Sequence, residues 1–423
     1  TTEYDGNAHT VEGCTATANS DLYDTAANIK FTGAATATRT DAGTTNMGLA
    51  PEQFVNANDN FTVTFIVTDG FQTITPVAAE VTATINGSKI TKTYDGTEHI
   101  AAGYAVGIDN PLYTTDDIAF TGTSTAKRTE VGTTNMGLAE DQFSNTNPNF
   151  TNVKFAVTDG WMEIDPLAVT VTVTGNSVTA DYDGTVHTAT GYVATATSPL
   201  YDTAANVRFT GEAIATRTDA GTTDMGLAAV QFANTNGNFD VTFTVIDGFA
   251  KVNPIETTVT IVGNNDTTEY DGNAHTVEGY VATAASALYD VNANIEFTGT
   301  AVAERTEVGT TNMNLAAAQF ANNNPNFSTV TFVVTDGYQA ITPVAAQVVV
   351  TIVGNTDTKT FDGAAHTVTG YTVTTSSPLY TESDFTFAGA ANATRTNAGT
   401  TNMGLATDQF SNANPNFADV KFV

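Results

Sequence analysis

Apolar and hydroxyl residues alternate along much of this chain. Val169-Thr170-Val171-Thr172-Val173-Thr174 does so with a period of two, residues 241–245 repeat the pattern, and residues 330–334 follow it approximately. A period of two puts every second side chain on one face of a pleated strand, so these runs predict half-buried β-strands. The branched side chains of Thr, Val and Ile suit that surface. Asp-Gly and Thr-Gly pairs between the runs supply turn residues that tolerate positive φ. A helix is predicted only over residues 227–234 and counterparts such as 138–145. Pro51 and the acidic Glu140, Asp141 and Asp408 suit its start. The Asn-rich run ends it, helped by Pro148, Pro325 and Pro415, because a residue before Pro avoids the helical region.

The pattern recurs five times. Its landmark is Tyr182-Asp183-Gly184-Thr185-Val186-His187, a Y-D-G-x-x-H box found again at residues 4–9, 94–99 and 270–275, and with Phe361 leading at 361–366. These boxes hold all 5 histidines. After each box come G-[YC], L-Y and an F-[TA]-G turn, then an R-T-x-x-G-T-T block from Arg39, Arg128, Arg217, Arg305 and Arg395. Next is Q-F-x-N-x-N-x-N-F, in which Asp59 stands where the other copies have Pro148, Gly237, Pro325 and Pro415. A D-G turn, an aromatic residue and I-x-P or N-P close the unit, so boundaries are predicted at Pro76, Pro166, Pro254 and Pro343. The repeats then cover residues 1–76, 77–166, 167–254, 255–343 and 344–423. Thr1 to Gly13 recurs letter for letter at Thr267 to Gly279, the mark of duplication within one chain.

Together these signals predict a mainly β protein: a tandem array of five antiparallel β-sandwich-like repeats, each with one short helix. A grasp-like sheet on that helix fits the same pattern, and the sandwich is preferred. No Gly/Ser or Pro-rich linker separates the units, so they are expected to stack end to end as a rod on the order of 150–200 Å long. The first repeat lacks its opening strand and the last its closing strand; the shortfall of about 22 residues matches one ordinary junction. The expectation is a segment of a longer array, with a head-to-tail polymer completed by a donated strand as the competitor.

Composition narrows the function. With 14 basic against 45 acidic residues and a net charge of −31, the chain lacks the cationic clusters that nucleic acid or anionic lipid requires. Its 41% apolar content, with 24 Phe and 14 Tyr, is too rich in core material for disorder. No apolar run is long enough to span a membrane. The lone Cys14 occupies the place of Tyr104, Tyr192, Tyr280 and Tyr371, a core position, and can form no internal disulfide.

The candidate sites favour structure over chemistry. One His per unit cannot assemble a zinc site or a triad, so Tyr182, Asp183, Gly184 and His187 are expected to form a turn and strand start. Arg217 recurs among very few basic residues and is expected to meet a carboxylate of a Y-D-G or D-G turn. Calcium is the one cofactor considered, with Asn236 and Asn238 offering oxygens and Asp183 or Asp247 adding charge. The alternative is that the Asn side chains tie the turn to its own backbone. Gln231, with Phe232 and Asn234, is expected to bond a loop carbonyl; a Thr–Gln ester is the sharper alternative. Lysines do not recur in register, which disfavours Lys–Asn cross-links. N-x-S/T sequons fall at Asn60, Asn86, Asn149, Asn265, Asn326 and Asn392.

The box, the F-T-G turn, the M-G-L step, the Q-F-x-N-T-N-x-N-F run and the T-D-G closure together resemble MBG (mostly-β, glycine-rich) and YDG repeats of bacterial surface proteins. The resemblance covers nearly the whole chain. It implies secretion and a place in an adhesin, stalk or envelope protein, and it brings no catalytic residues. Thr-rich β-repeats also occur in archaeal surface layers. The expected role is a rigid extracellular array for length and display, with neighbouring repeats or copies of itself as partners. The competitors are a self-assembling filament or surface layer, and a binder of host glycans or glycoproteins using Phe71, Trp161, Phe249 and Tyr338. An enzyme is not expected.

Overall fold

The computed structural model describes residues 1–423. It is built almost wholly from small sheets of two or three strands. Two compact units emerge: one from residues 1–174, 193–211 and 228–246, the other from 175–192, 212–227 and 247–423. Residues 167–254 therefore contribute strands to both.

In the first unit, residues 77–166 show the plan. Strand Val81–Gly87 lies between Tyr104–Ile108, which pairs with it antiparallel, and Val153–Thr158, which pairs parallel. Further along, Trp161–Asp165 lies between Gly132–Asn135, antiparallel, and Lys89–Thr93, parallel. Two antiparallel pairs, His99–Ala102 with Thr125–Arg128 and Ile118–Phe120 with Phe143–Asn145, complete it. The inward positions fill one core, with Ala83, Ile85, Phe143, Met162 and Ile164 all buried. The alternating runs thus bury one face as the period of two requires.

The second unit repeats the plan over residues 255–343. Strand Ile255–Gly263 sits between Tyr280–Ala284, antiparallel, and Phe327–Thr335, parallel. Tyr338–Thr342 sits between Gly309–Asn312, antiparallel, and Asn265–Glu269, parallel. Val259, Ile261, Met313, Leu315 and Phe320 form its core.

Three expectations are corrected. The repeats are not purely antiparallel, because opening and closing strands run side by side in one direction. A chain that enters a repeat at one end and leaves at the other makes an odd number of passes, so its first and last passes are parallel. The long crossover that parallel pairing demands is the body of the repeat itself. Second, the helix expected over residues 227–234 is a single 3₁₀ turn, Ala229–Gln231, followed by strand Phe232–Asn234. Phe232 stacks on Phe209 at 4.8 Å, and that cross-strand contact holds the segment extended. The α-helical turns lie elsewhere, at Thr25–Asn28 and Thr203–Asn206, capped by Asp24 and Asp202. Third, Cys14 is exposed. Tyr104 in the same register packs on Phe120 and Phe143 because Tyr104–Ile108 is paired in a sheet; residues 14–18 form no strand.

Two of the four predicted closures are tight, while at Pro76 and Pro343 the next strands begin only at Val81 and Val348. Only Pro166 separates Trp161–Asp165 from the next strand, Leu167–Gly175, and only Pro254 separates Phe249–Asn253 from Ile255–Gly263. No helix is long and apolar enough to cross a membrane.

Candidate functional site: the joint between successive repeats

The box folds locally. Asp183 Oδ1 accepts hydrogen bonds from Thr185 N at 2.8 Å and Thr185 Oγ1 at 2.7 Å, and pairs with His187 Nε2 at 3.0 Å. An Asp that bonds the backbone two residues on makes a tight turn, and His187 then opens strand His187–Thr190. The same Asp–His pair recurs in all five boxes at 2.9–3.0 Å. Those bonds, the Thr185 hydroxyl and backbone first and His187 after them, hold the Asp183 carboxyl below its ordinary range. They place each histidine with its own turn, and no group of three or more His, Cys, Asp or Glu is arranged to hold a metal ion.

Arg217 is not paired with a carboxylate. Its Nε donates to Asp219 O at 2.8 Å, Nη2 to Ala220 O at 2.8 Å, and Nη1 to Thr222 O at 3.3 Å and Thr223 Oγ1 at 3.2 Å. The guanidinium fork is the core around which the R-T-x-x-G-T-T loop is wound. Gly221 is required there: its φ is +132°, and a Cβ would fall 2.3 Å from Arg217 Nη2. Desolvating a carboxylate in this half-buried place would cost more than leaving it in water. Backbone carbonyls already facing inward satisfy the donors instead.

The Asn run ties itself down. Asn234 Nδ2 donates to Asn236 O at 2.7 Å and Phe239 O at 2.9 Å, and Asn236 Oδ1 accepts from Asn238 N at 3.0 Å. Asp247 receives Gly226 N and Leu227 N, one on each carboxylate oxygen, at 2.9 and 3.0 Å. Asn238 Oδ1 accepts from Val131 N at 2.9 Å. Asp183, Asn236, Asn238 and Asp247, the calcium candidates, thus already take hydrogen bonds from this chain's own donors. Gln231 Oε1 accepts from Ala228 N at 2.7 Å, which closes the 3₁₀ turn. The Thr210 hydroxyl bonds the Gln231 main-chain carbonyl at 3.2 Å rather than approaching the side-chain amide as an ester would require.

These pieces converge where one repeat meets the next. In the first unit, Phe150 stands between Tyr113 of its own repeat, at 5.1 Å, and the box Tyr4 of the preceding one, at 5.7 Å, both edge-on. Edge-to-face rings at such distances attract through their quadrupoles. Beside them Asn149 Oδ1 accepts from Ala42 N at 2.7 Å while its Nδ2 donates to Asp41 Oδ1 at 3.0 Å. Leu112 lies over the box glycine Gly6: a Cβ there, already strained by a φ of +79°, would stand 3.2 Å from Leu112 Cδ2. We call Leu112, Tyr113, Asn149 and Phe150 the plug. Tyr4, Gly6 and the loop at Asp41-Ala42 form the socket.

The arrangement recurs in both units. In the first, Tyr94 meets Phe239 at 5.3 Å, and Asn238 spans Val131 N and the Glu130 carboxylate. In the second, Tyr182 meets Phe327 at 5.9 Å while Asn326 takes Ala220 N at 2.5 Å and reaches Asp219 at 2.9 Å. There too Tyr270 meets Phe417 at 5.7 Å, and Asn416 spans Val308 N, at 2.8 Å, and the Glu307 carboxylate. Asn149, Asn326 and Asn416 are 5%, 7% and 3% exposed. Two of them are sequon asparagines, so the fold shields Asn149 and Asn326, whereas Asn60, Asn86, Asn265 and Asn392 face solvent. Burial, then Glu307 and Asp384, raise the Tyr270 phenol above its ordinary pKa.

The box, the L-Y step, the Arg loop and the N-F pair are each legible in the sequence, but their meeting at one joint is not. A signal was present. The copy whose box begins with Phe361 in place of Tyr also has Asn397 where the other loops carry Asp41, Glu130, Asp219 or Glu307. Two departures in one copy mark two parts of one surface.

No family model and no curated protein matches this chain. Among solved structures it is similar to "The Bacillus anthracis TIE protein", at 10% identity over 73% of this chain and 66% of that one, with a TM-score of 0.16. It is also similar to the N-terminal eight Ig domains of Down Syndrome Cell Adhesion Molecule isoform 1.30.30, at 13% identity over 92% of this chain and 52% of that one, with a TM-score of 0.16. Likenesses this weak carry neither fold nor function across.

Proposed function

We propose that this protein is a structural array of a cell surface, built from five β-sandwich-like repeats and working as a stiff extracellular stalk or fibre. The observation that supports this reading most is the recurring joint. The same aromatic pair, bridging asparagine and leucine-over-glycine contact join consecutive repeats at four places, and the asparagine is buried at three of them. A flexible tether needs none of these contacts, whereas a stiff spacer needs all of them at every joint. The single-residue closures at Pro166 and Pro254 act in the same direction by removing hinge length. The acidic surface suits a protein that must stay dispersed at high local density.

A glycan-binding role has less support. Phe71 is 56% exposed and Tyr338 36%, but Trp161 and Phe249 in the same register are half-buried. A sugar platform recurring along the array would present all of them.

Two measurements test the proposal. Small-angle scattering should give an elongated particle on the order of 150–200 Å long; a compact scattering profile would overturn the stiff-array reading. Immunogold labelling of the source cells should place the protein on the outer surface, and label confined to the cell interior would overturn the location.

A further inference from the structure

A hydroxyl and a carboxamide meet inside the fourth repeat. Gln339, on strand Tyr338–Thr342, is 0% exposed, and its Nε2 donates to Thr268 Oγ1 at 3.1 Å and to Ala340 O at 3.2 Å. Thr268 is half-buried on the neighbouring strand Asn265–Glu269, which runs parallel to it. Gln339 Oε1 is buried with no hydrogen-bond partner. A buried acceptor left without a donor carries a desolvation cost that a packed apolar side chain does not.

Packing does not ask for a glutamine at this place. In the same register the second repeat has Met162 and the third Ala250, each 0% exposed. The residues on the facing strand change with it. Asp266 and Thr268 give way to Ile90 and Lys92 in the second repeat, and to Val178 and Ala180 in the third. The first repeat has a buried glutamine here, Gln72, and it also has the threonine, Thr2. In these four repeats carboxamide and hydroxyl thus occur together or not at all.

From these contacts we infer that Thr268 and Gln339 become joined by an ester. Thr268 Oγ1 attacks Gln339 Cδ, and a C–O bond forms as the C–N bond breaks. The hydroxyl proton leaves with the amide nitrogen, so one ammonia is released and no oxidant, reductant or cofactor is consumed. Asp266, opposite Gln339 in register and two residues before Thr268 on the same strand face, is the carboxylate that relays this proton. Holding hydroxyl and carboxamide together makes the attack intramolecular, which removes the entropy cost of an encounter. Ammonia is protonated at neutral pH and lost by dilution, so return to the amide lacks its reactant. Hydrolysis is held off because the fold shuts the carbonyl from water. An ester carbonyl is also a weaker acceptor than an amide carbonyl, so its unpartnered oxygen costs less after the reaction than before. The bond ties Asn265–Glu269 to Tyr338–Thr342, and tension along the chain then bypasses the residues between Thr268 and Gln339. The inference does not rest on the array reading, because it concerns two strands of one repeat.

Peptide mapping of the full chain tests it. Trypsin cuts after Lys251, Arg305 and Lys359, so Thr268 and Gln339 fall on separate peptides, 252–305 and 306–359. Mass spectrometry should find these two peptides joined, at their summed mass less one ammonia. Hydroxylamine, which cleaves esters and spares amides, should separate them and leave a hydroxamate at Gln339. T268V keeps the branched shape without the hydroxyl and should abolish the joined species, while T268S should retain it. D266N should slow its build-up in freshly translated chain by about a hundredfold. Wild-type peptides that run free at their sequence masses would overturn the inference, as would a joined pair that resists hydroxylamine or persists in T268V. Build-up at the wild-type rate in D266N would overturn the role given to Asp266.

Discussion

Replacing Asn149 with Ala isolates the polar half of one joint. The side chain is 5% exposed and spans the joint with two hydrogen bonds, 2.7 Å to Ala42 N and 3.0 Å to Asp41 Oδ1. Alanine removes both and adds no clash, and the ring contacts of Phe150 with Tyr4 and Tyr113 are untouched. A neutral hydrogen bond contributes about 1 kcal/mol net and one to a charged group about 1.5–3 kcal/mol, so the closed joint should lose about 2.5–4 kcal/mol. At 1.4 kcal/mol per factor of ten, local opening should become roughly 60- to 700-fold more frequent. Hydrogen exchange of the Ala42 amide reads this directly, because that N–H is the donor Asn149 satisfies. Global melting is a poorer probe, since the other joints keep their clamps. Pairing the change with Asp41→Ala should show a coupling of about 1.5–3 kcal/mol, the charged bond alone. Ala42 protection within about threefold of wild type, or additive effects of the two changes, would refute the clamp.

Other outcomes follow from the same geometry. Arg217→Met strips the loop core of its donors and should lower stability by about 2–4 kcal/mol in chemical denaturation, with Arg217→Lys recovering less than half because an ammonium cannot fork to several carbonyls. A cost no greater than for an exposed control would contradict the loop-core role. Gly184→Ala should cost about 1–2 kcal/mol from its left-handed backbone, and more through crowding of Leu288, whose Cδ2 lies 3.2 Å from the new Cβ. Asp5, Asp95 and Asp271 are lowered from 3.8 to about 2, chiefly by hydrogen bonds from Asn7, Thr97 and Asn273, with help from the box histidines. A depressed folded pKa stabilises above the unfolded value, so melting temperature should fall between about pH 4 and pH 2, and a flat profile there would argue against these turns. Tyr113 and Tyr380 are raised to about 12 by burial and then by Asp117 and Asp384. A raised folded pKa stabilises below the unfolded value, so stability should be lost as pH climbs from about 10 to 12, in step with the ultraviolet signal of phenolate.

Periodicity and local chemistry were legible from the residues themselves. The alternation at residues 169–174 fixes a strand with one buried face, because the period of a pleated chain is set by its covalent geometry. The box turn and the Asn run are likewise local: each bond joins residues within five positions, so donor and acceptor sit in one window of text. Tertiary structure decided the rest. The parallel pairing of Val81–Gly87 with Val153–Thr158 depends on how the chain traverses the whole repeat, which no local window contains. Arg217 looked destined for a carboxylate, but that pairing assumed the acids would leave water; a loop wound around the guanidinium supplied carbonyls already desolvated by the fold. The 3₁₀ turn at Ala229–Gln231 is short because Phe232 gains more by stacking on Phe209 across a strand pair than by continuing a helix. The joint was the least legible of all. Asn149 and Ala42 are 107 positions apart, and only packing one repeat on the next brings the buried amide to the loop that needs it.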